Sequence, residues 1–186
     1  MDPTLLVELK YSTIDNFMKT DVYGELETCY MRRVSAEMLG KAHSILKETH
    51  PDLRLLIYDG LRPRSIQWIL WNTLNDVPES ERSNFVANPK SGSIHNFGAA
   101  VDLTVAHKNG TPLDMGTHYD YFGDLAFPKL EDSLMVVGTL TLEQVNNRLI
   151  LRNAMTQAGF SPITTEWWHF DSFPYKETKQ KFTIIE

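Results

Sequence analysis

Two segments of the chain, residues 93–102 and 164–173, carry side chains whose types and spacing suit metal chemistry. Asp102 lies among apolar residues in GAAVDL, where a carboxylate is costly unless it is paired, hydrogen-bonded or metal-bound. His95 precedes it in a loop of small residues, and His169 lies among large apolar side chains in TTEWWHFDSF. Two histidines and one aspartate leave the fourth tetrahedral position open for water, as catalytic zinc requires. These residues indicate a hydrolytic metal site, for which a core strand without metal is the plain alternative.

Glu166 precedes His169 by three residues and could be the general base that takes a proton from that water. In a regular strand, residues i and i+3 point to opposite faces. Both side chains can therefore face one site only if Glu166 lies before the strand or at a bulge. The preceding SPITT segment, with Pro162, favours a turn there. Alternation also predicts that Trp167 shares a face with His169 and that Trp168 lies on the other face.

Arg62 follows an apolar run and a glycine turn in YDGLRPR. A structural ion pair is the simplest interpretation, and the functional one is a cation that stabilises negative charge on a substrate oxygen. The remaining histidines are expected to be structural or solvent-facing: His43, His50, His107 and His118.

The motif SxHxxGxAxD at residues 93–102, followed by ExxH at residues 166–169, resembles the zinc D-alanyl-D-alanine dipeptidases. These are the vancomycin-resistance type within the peptidoglycan-related zinc peptidases. The segments YDGLRP, LDMGTHYDYF, NNRLILRNAMTQAGF and EWWHF are also similar to family segments, in the same order. The resemblance therefore extends over nearly the whole chain.

The resemblance implies one zinc ion per chain, with Glu166 as the general base. Arg62 would polarise the scissile carbonyl and stabilise the tetrahedral intermediate. Ser93 and Asp120 would hold the substrate, Asp120 near its free amino group. The zinc ligands that it implies are His95, Asp102 and His169.

Two positions depart from the family pattern and leave the exact substrate open. Leu61 stands where the family often carries an aromatic residue, and Phe97 stands where a more polar residue is expected. Both could reshape the pocket, so another D-terminal dipeptide could be preferred. The main alternative is a D,D-carboxypeptidase or endopeptidase that acts on longer peptidoglycan stem peptides. A noncatalytic zinc module that binds a partner is a further alternative, which the presence of Glu166 and Arg62 disfavours.

The composition of the chain limits its possible binding partners and its cellular compartment. The net charge of −6 argues against nonspecific nucleic-acid binding, which needs a basic surface. No apolar run has the length of a membrane span. The family resemblance implies a small dipeptide as the partner. The single cysteine, Cys29, excludes an intramolecular disulfide. No signal peptide is visible, which indicates a cytoplasmic protein or a periplasmic one whose leader has been removed. The oligomeric state is not indicated.

The elements that must position these side chains indicate a single α+β domain over residues 1–186, with a small central antiparallel sheet packed with helices. Helix signals are clearest at Thr141–Ala158, where Thr141 can cap the start and Gly159 can end the helix. Ser35 is the expected N-cap of another helix. The other segments are a helix at 35–49, a helix from about 64, and strands at 53–58, 99–105 and 167–173.

Overall fold

A five-stranded sheet forms the centre of the computed structural model, which describes residues 2–186. The strand order is β1-β2-β3-β5-β4. β1 pairs with β2 in parallel, and every other neighbouring pair of the sheet is antiparallel. The strands are β1 (Leu6–Val7), β2 (Leu53–Asp59), β3 (Ala100–His107), β4 (Ser161–Pro162) and β5 (His169–Asp171). The α+β class is thus confirmed, and the sheet is mixed rather than purely antiparallel because a helix links β1 to β2 as a crossover.

Two long helices and the two central strands form the core. The helices are α1 (Arg33–Thr49) and α4 (Leu142–Ala158), which pack against each other and against β2 and β3 respectively. Burial on both faces explains the nearly continuous apolar runs of the central strands. The fully buried side chains include Leu39, Leu46, Leu55, Leu103 and Leu151.

Cap signals predicted one helix boundary well and another poorly. The side-chain oxygen of Thr141 accepts a hydrogen bond from the Gln144 N–H at 3.2 Å, and Gly159 ends α4 with a positive φ of 106°. By contrast, α1 begins at Arg33, and Ser35 lies inside its first turn. The prediction of Ser35 as an N-cap is therefore wrong, because Arg32 holds the cap position and the Ser35 hydroxyl is buried.

Three shorter helices complete the fold. The remaining helices are α2 (Arg64–Thr73), α3 (Glu131–Val136) and α5 (Tyr175–Lys181). A 3₁₀ turn, Ile94–Phe97, interrupts the loop that precedes β3. Within residues 2–186, no helix combines the length and apolarity needed to cross a membrane.

Candidate active site

His95, Asp102 and His169 converge on one point, beside the inner strands β3 and β5. The Nε2 atom of His95 lies 3.2 Å from Asp102 Oδ1 and 3.1 Å from His169 Nδ1, and the last two atoms are 3.0 Å apart. All three residues are at least nine-tenths buried. The three atoms therefore form a small, nearly equilateral triangle of potential metal ligands.

Strand register and a capped turn create this triangle. His169 on β5 lies directly opposite Asp102 on β3 in the antiparallel pair. His95 belongs to the 3₁₀ turn before β3, whose first residue is capped by Ser93. Gly98 ends that turn with φ of 69°, a left-handed conformation that glycine adopts without steric cost. The turn thus returns the chain so that His95 faces the strand it precedes.

The triangle has the dimensions of a metal site. Zinc bonds of about 2.0–2.1 Å to nitrogen or oxygen imply ligand atoms about 3.3 Å apart in a tetrahedron. The observed spacings of 3.0–3.2 Å agree with that value to within a few tenths of an ångström. Burial alone would raise the pKa of Asp102, but the two histidines outweigh it and hold the pKa below its ordinary value. The three side chains of the triangle are therefore able to bind a metal ion.

Each potential ligand has a hydrogen-bond partner on its far side. His95 Nδ1 donates to the Gly60 carbonyl at 2.7 Å, which leaves Nε2 free for the triangle. His169 Nε2 contacts Asp171 Oδ1 at 2.8 Å, which leaves Nδ1 free. The Tyr119 hydroxyl donates to Asp102 Oδ2 at 2.9 Å. Such partners orient metal ligands and fix histidine tautomers.

Glu166 enters the site from the segment before β5. Its Oε2 lies 3.8 Å from His169 Nδ1, and 33% of its side chain is exposed to the cleft. The chain bends at residues 164–165 and 167–168, and β5 starts only at His169, as the i, i+3 spacing required. The bends also rotate the tryptophans, so Trp168 rather than Trp167 lines the cleft with His169, against the prediction from strand alternation. Partial loss of solvation inside the cleft raises the pKa of Glu166 above its ordinary value.

Arg62 is held beside the triangle by the structural ion pair that its sequence context suggested, with Asp59 as the partner. Its Nε and Nη2 atoms donate to Asp59 Oδ2 at 2.9 and 2.6 Å, and its Nη1 donates to Gln67 Oε1 at 3.1 Å. A bulge between Ile57 and Asp59 sets Asp59 opposite Asp102. Arg62 Nη2 also lies 3.5 Å from Asp102 Oδ2. The guanidinium is therefore fixed at the wall of the cleft.

Asp120 and Ser93 both line the same cleft. Asp120 is buried with a positive φ of 58°, and its Oδ2 has no hydrogen-bond partner among the described residues. Burial raises the pKa of Asp120 well above its ordinary value, and the nearby Asp102 charge adds to this. Ser93 Oγ accepts a 3.3 Å hydrogen bond from the His95 N–H, so part of its role is to cap the turn.

The cleft has a volume of about 310 Å³ and an aromatic rim. Phe122 makes edge contacts with Phe17 and Phe85, at ring-centroid distances of 5.0 and 5.3 Å. Among residues 2–186, Leu61 and Phe97 are not part of the cleft lining. Phe97 instead packs in a small apolar cluster with Ile94, Ala99 and Ala100. These two residues therefore do not shape the pocket through direct contact with its interior.

Three residues that support the site were not selected from the sequence. Asp59 could have been found by the argument used for Asp102, because it is an acid that ends a buried apolar strand. Asp171 lies two residues after His169, a spacing that places both on one face of a strand. Tyr119 offered no such signal, since its contact with Asp102 joins segments 17 residues apart.

Comparison with known proteins gives a consistent result over most of the chain. The family model for peptidase family M15, described as D-Ala-D-Ala dipeptidase, matches residues 1–184. A D-alanyl-D-alanine dipeptidase of Escherichia coli K12 is 33% identical over 169 residues, covering 91% of this chain and 79% of the relative. A D-alanyl-D-alanine dipeptidase of Enterococcus faecalis V583 is 27% identical, covering 95% of this chain and 91% of the relative. Among solved structures, the LdcB LD-carboxypeptidase matches with a TM-score of 0.49 and 18% identity, covering 86% of this chain and 69% of that one.

Proposed function

Because the chain belongs to the D-Ala-D-Ala dipeptidase family of M15 peptidases, we propose that it hydrolyses D-alanyl-D-alanine, or a related D-terminal dipeptide, to free amino acids. The observation that carries the proposal is the convergence of a metal-binding triangle, Glu166 and Arg62 on one small cleft. A cleft of about 310 Å³ is at the lower end of the range for small-molecule sites, which suits a dipeptide. Residues 1–186 would act together as one catalytic domain.

Zinc is the metal that the ligand set fits best. His95, Asp102 and His169 would supply two imidazole nitrogens and one carboxylate oxygen, a donor set typical of catalytic zinc with one position left for water or substrate. When bound, the metal would lower the pKa of a water molecule and polarise the substrate carbonyl. Gly60, Tyr119 and Asp171 would hold the three ligands in their orientations.

Glu166 would move the protons of the reaction. Its carboxylate takes a proton from the attacking water and later gives that proton to the leaving amine. A pKa above the ordinary value suits a group that must both accept and donate near neutral pH. Its Oε2 lies 3.8 Å from His169 Nδ1, so the carboxylate would be close to a water held at the triangle.

Arg62 would stabilise the negative charge that develops on the carbonyl oxygen. The guanidinium is already oriented by Asp59 and Gln67, so little reorganisation is needed when the charge appears. An oriented cation in a buried site contributes more than a mobile one on the surface.

Asp120 and Ser93 would select the substrate. The buried Oδ2 of Asp120 has no partner among the described residues, and a substrate ammonium would supply one through a charge-assisted hydrogen bond. Because a peptide bond at that position replaces the ammonium in longer peptides, this contact favours a free dipeptide. Ser93, at the start of the His95 turn, would offer its hydroxyl to the substrate backbone.

A substrate panel tests the function directly. The purified chain is assayed with and without zinc on D-Ala-D-Ala, L-Ala-L-Ala, N-blocked D-Ala-D-Ala and a pentapeptide stem. We expect zinc-dependent hydrolysis of D-Ala-D-Ala and little hydrolysis of the blocked and longer peptides. Faster release of D-alanine from the stem than from the dipeptide would replace the proposal by the carboxypeptidase alternative.

Two variants test the assigned roles. Glu166→Ala should bind zinc as the parent does and lose nearly all turnover, whereas near-normal turnover would remove Glu166 as the base. Asp120→Ala should hydrolyse the dipeptide more slowly while discriminating less against the N-blocked one. An undiminished dipeptide rate in that variant would contradict the ammonium contact.

A further inference from the structure

We propose that Asp171 is a positioning residue that selects the tautomer of His169 and strengthens it as a metal ligand. This inference rests on the metal site of the proposed function. Asp171 Oδ1 lies 2.8 Å from His169 Nε2, and 15% of the Asp171 side chain is exposed. The two residues are i and i+2 on β5, so their side chains stand on the same face of the strand.

The need for such a partner follows from which nitrogen of His169 faces the triangle. A neutral imidazole carries one N–H, and the hydrogen bond made by one nitrogen decides which nitrogen keeps a free lone pair. His169 turns Nδ1 towards the triangle, at 3.0 Å from Asp102 Oδ1. To coordinate a metal ion through Nδ1, the imidazole must carry its N–H on Nε2. An ionised carboxylate can only accept a hydrogen bond, and Asp171 therefore fixes the required tautomer.

The two histidines of the triangle are held in opposite tautomers by different kinds of acceptor. His95 presents Nε2 and donates from Nδ1 to the neutral carbonyl of Gly60. His169 presents Nδ1 and donates to the charged Asp171. A carboxylate partner raises the basicity of the imidazole more than a carbonyl does, so His169 should be the stronger of the two nitrogen ligands.

The strand pairing keeps Asp171 in place independently of any ligand. Its backbone is paired with Ala100 on β3 and with Ser161 on β4, so β5 is held on both sides at this residue. The same pairing with β3 sets His169 opposite Asp102. The acceptor and the ligand thus share one rigid three-residue strand, and the side chain of Asp171 is pre-oriented.

Zinc affinity measured by competition with a chromogenic chelator tests the role without relying on turnover. We expect Asp171→Ala to bind zinc about 10–100-fold more weakly than the parent. Asp171→Asn should show a smaller loss, because its amide oxygen still accepts the Nε2 hydrogen bond without the charge. Glu166→Gln is the matched control, since it removes one negative charge 3.8 Å from His169 Nδ1 and leaves the Nε2 contact intact. It should lose less than about tenfold in zinc affinity, below the range for the loss of a ligand's hydrogen-bond partner.

Three results would overturn the inference. The first is an Asp171→Ala variant that remains folded by circular dichroism and binds zinc as tightly as the parent. The second is an equal loss in Glu166→Gln, which would assign the effect to net charge alone. The third is a raised KM for the dipeptide at unchanged zinc affinity, which would make Asp171 a substrate contact. A parent chain that binds no zinc would instead refute the proposed function, and this inference with it.

Discussion

The ion pair between Asp59 and Arg62 permits a quantitative test of how the site is built. Asp59 has no exposed side-chain area, and Arg62 has 9%. Asp59→Asn keeps the shape of the side chain but leaves a buried guanidinium without its charged partner. Removing one member of a buried pair costs about 3–5 kcal/mol. Arg62 keeps its contact with Gln67, and Asp102 lies 3.5 Å away, so we expect the free energy of unfolding to fall by about 3 kcal/mol.

Two companion variants provide smaller losses of stability with which this value can be compared. The Tyr23 hydroxyl donates to the other oxygen of Asp59 at 2.8 Å, and that oxygen also accepts from the Gly60 N–H. Tyr23→Phe therefore removes one of two donors and should cost about 1.5 kcal/mol. Glu177→Gln breaks the exposed i, i+4 pair with Lys181 and should cost about 0.5 kcal/mol or less.

The assay is urea-induced unfolding of the metal-free protein, which separates the ion pair from metal binding. The free energy of unfolding should fall in the order Glu177→Gln, Tyr23→Phe, Asp59→Asn, with m-values unchanged. In the zinc-loaded protein, Asp59→Asn should also lower kcat/KM by about 10²-fold, because Arg62 is no longer held in place. A loss below about 1 kcal/mol in Asp59→Asn would refute the reasoning that the buried pair stabilises the cleft.

Three further outcomes are expected elsewhere in the chain. Thr141→Ala removes the cap of α4 and should lower the free energy of unfolding by about 1 kcal/mol in the same urea titration. Ser35→Ala should be neutral or slightly stabilising there, because the Ser35 hydroxyl is buried without a partner among the described residues, and a loss above about 1 kcal/mol would contradict this. Burial raises the pKa of Cys29 to about 12, so a thiol reagent at pH 8 should label the native protein about 10²–10³-fold more slowly than the urea-unfolded one. Equal labelling rates would show that Cys29 is an ordinary exposed thiol.

Elements with local signals were predictable from the sequence. α4 begins at its capping threonine and ends at its glycine because both signals act within a few residues of the helix end. The segment at 167–173 was predicted as a strand from its aromatic residues, yet β5 has only three residues. Trp167 and Trp168 fill the core from the bends before the strand, and burial alone does not distinguish a bend from a strand.

Part of the site was predictable because a buried charged side chain is costly in any fold and therefore needs a partner. That reasoning selected Asp102 and His169, and it would also have selected Asp59. It could not have paired Asp59 with Arg62 across from Asp102, because the pairing depends on the bulge between β2 and β3. The unpartnered Oδ2 of Asp120 likewise depends on how the segment between β3 and α3 folds.

Charge balance connects these observations to the proposed function. The residues in and directly behind the cleft include more carboxylates than cationic side chains. The guanidinium of Arg62 lies next to two of these carboxylates, Asp59 and Asp102. The carboxylates are Asp59, Asp102, Asp120, Glu166 and Asp171. Such an excess is costly in a buried site unless cations are supplied from outside. A divalent metal at the triangle and a substrate ammonium at Asp120 would supply them, so the site should reach its most stable state only when both are bound.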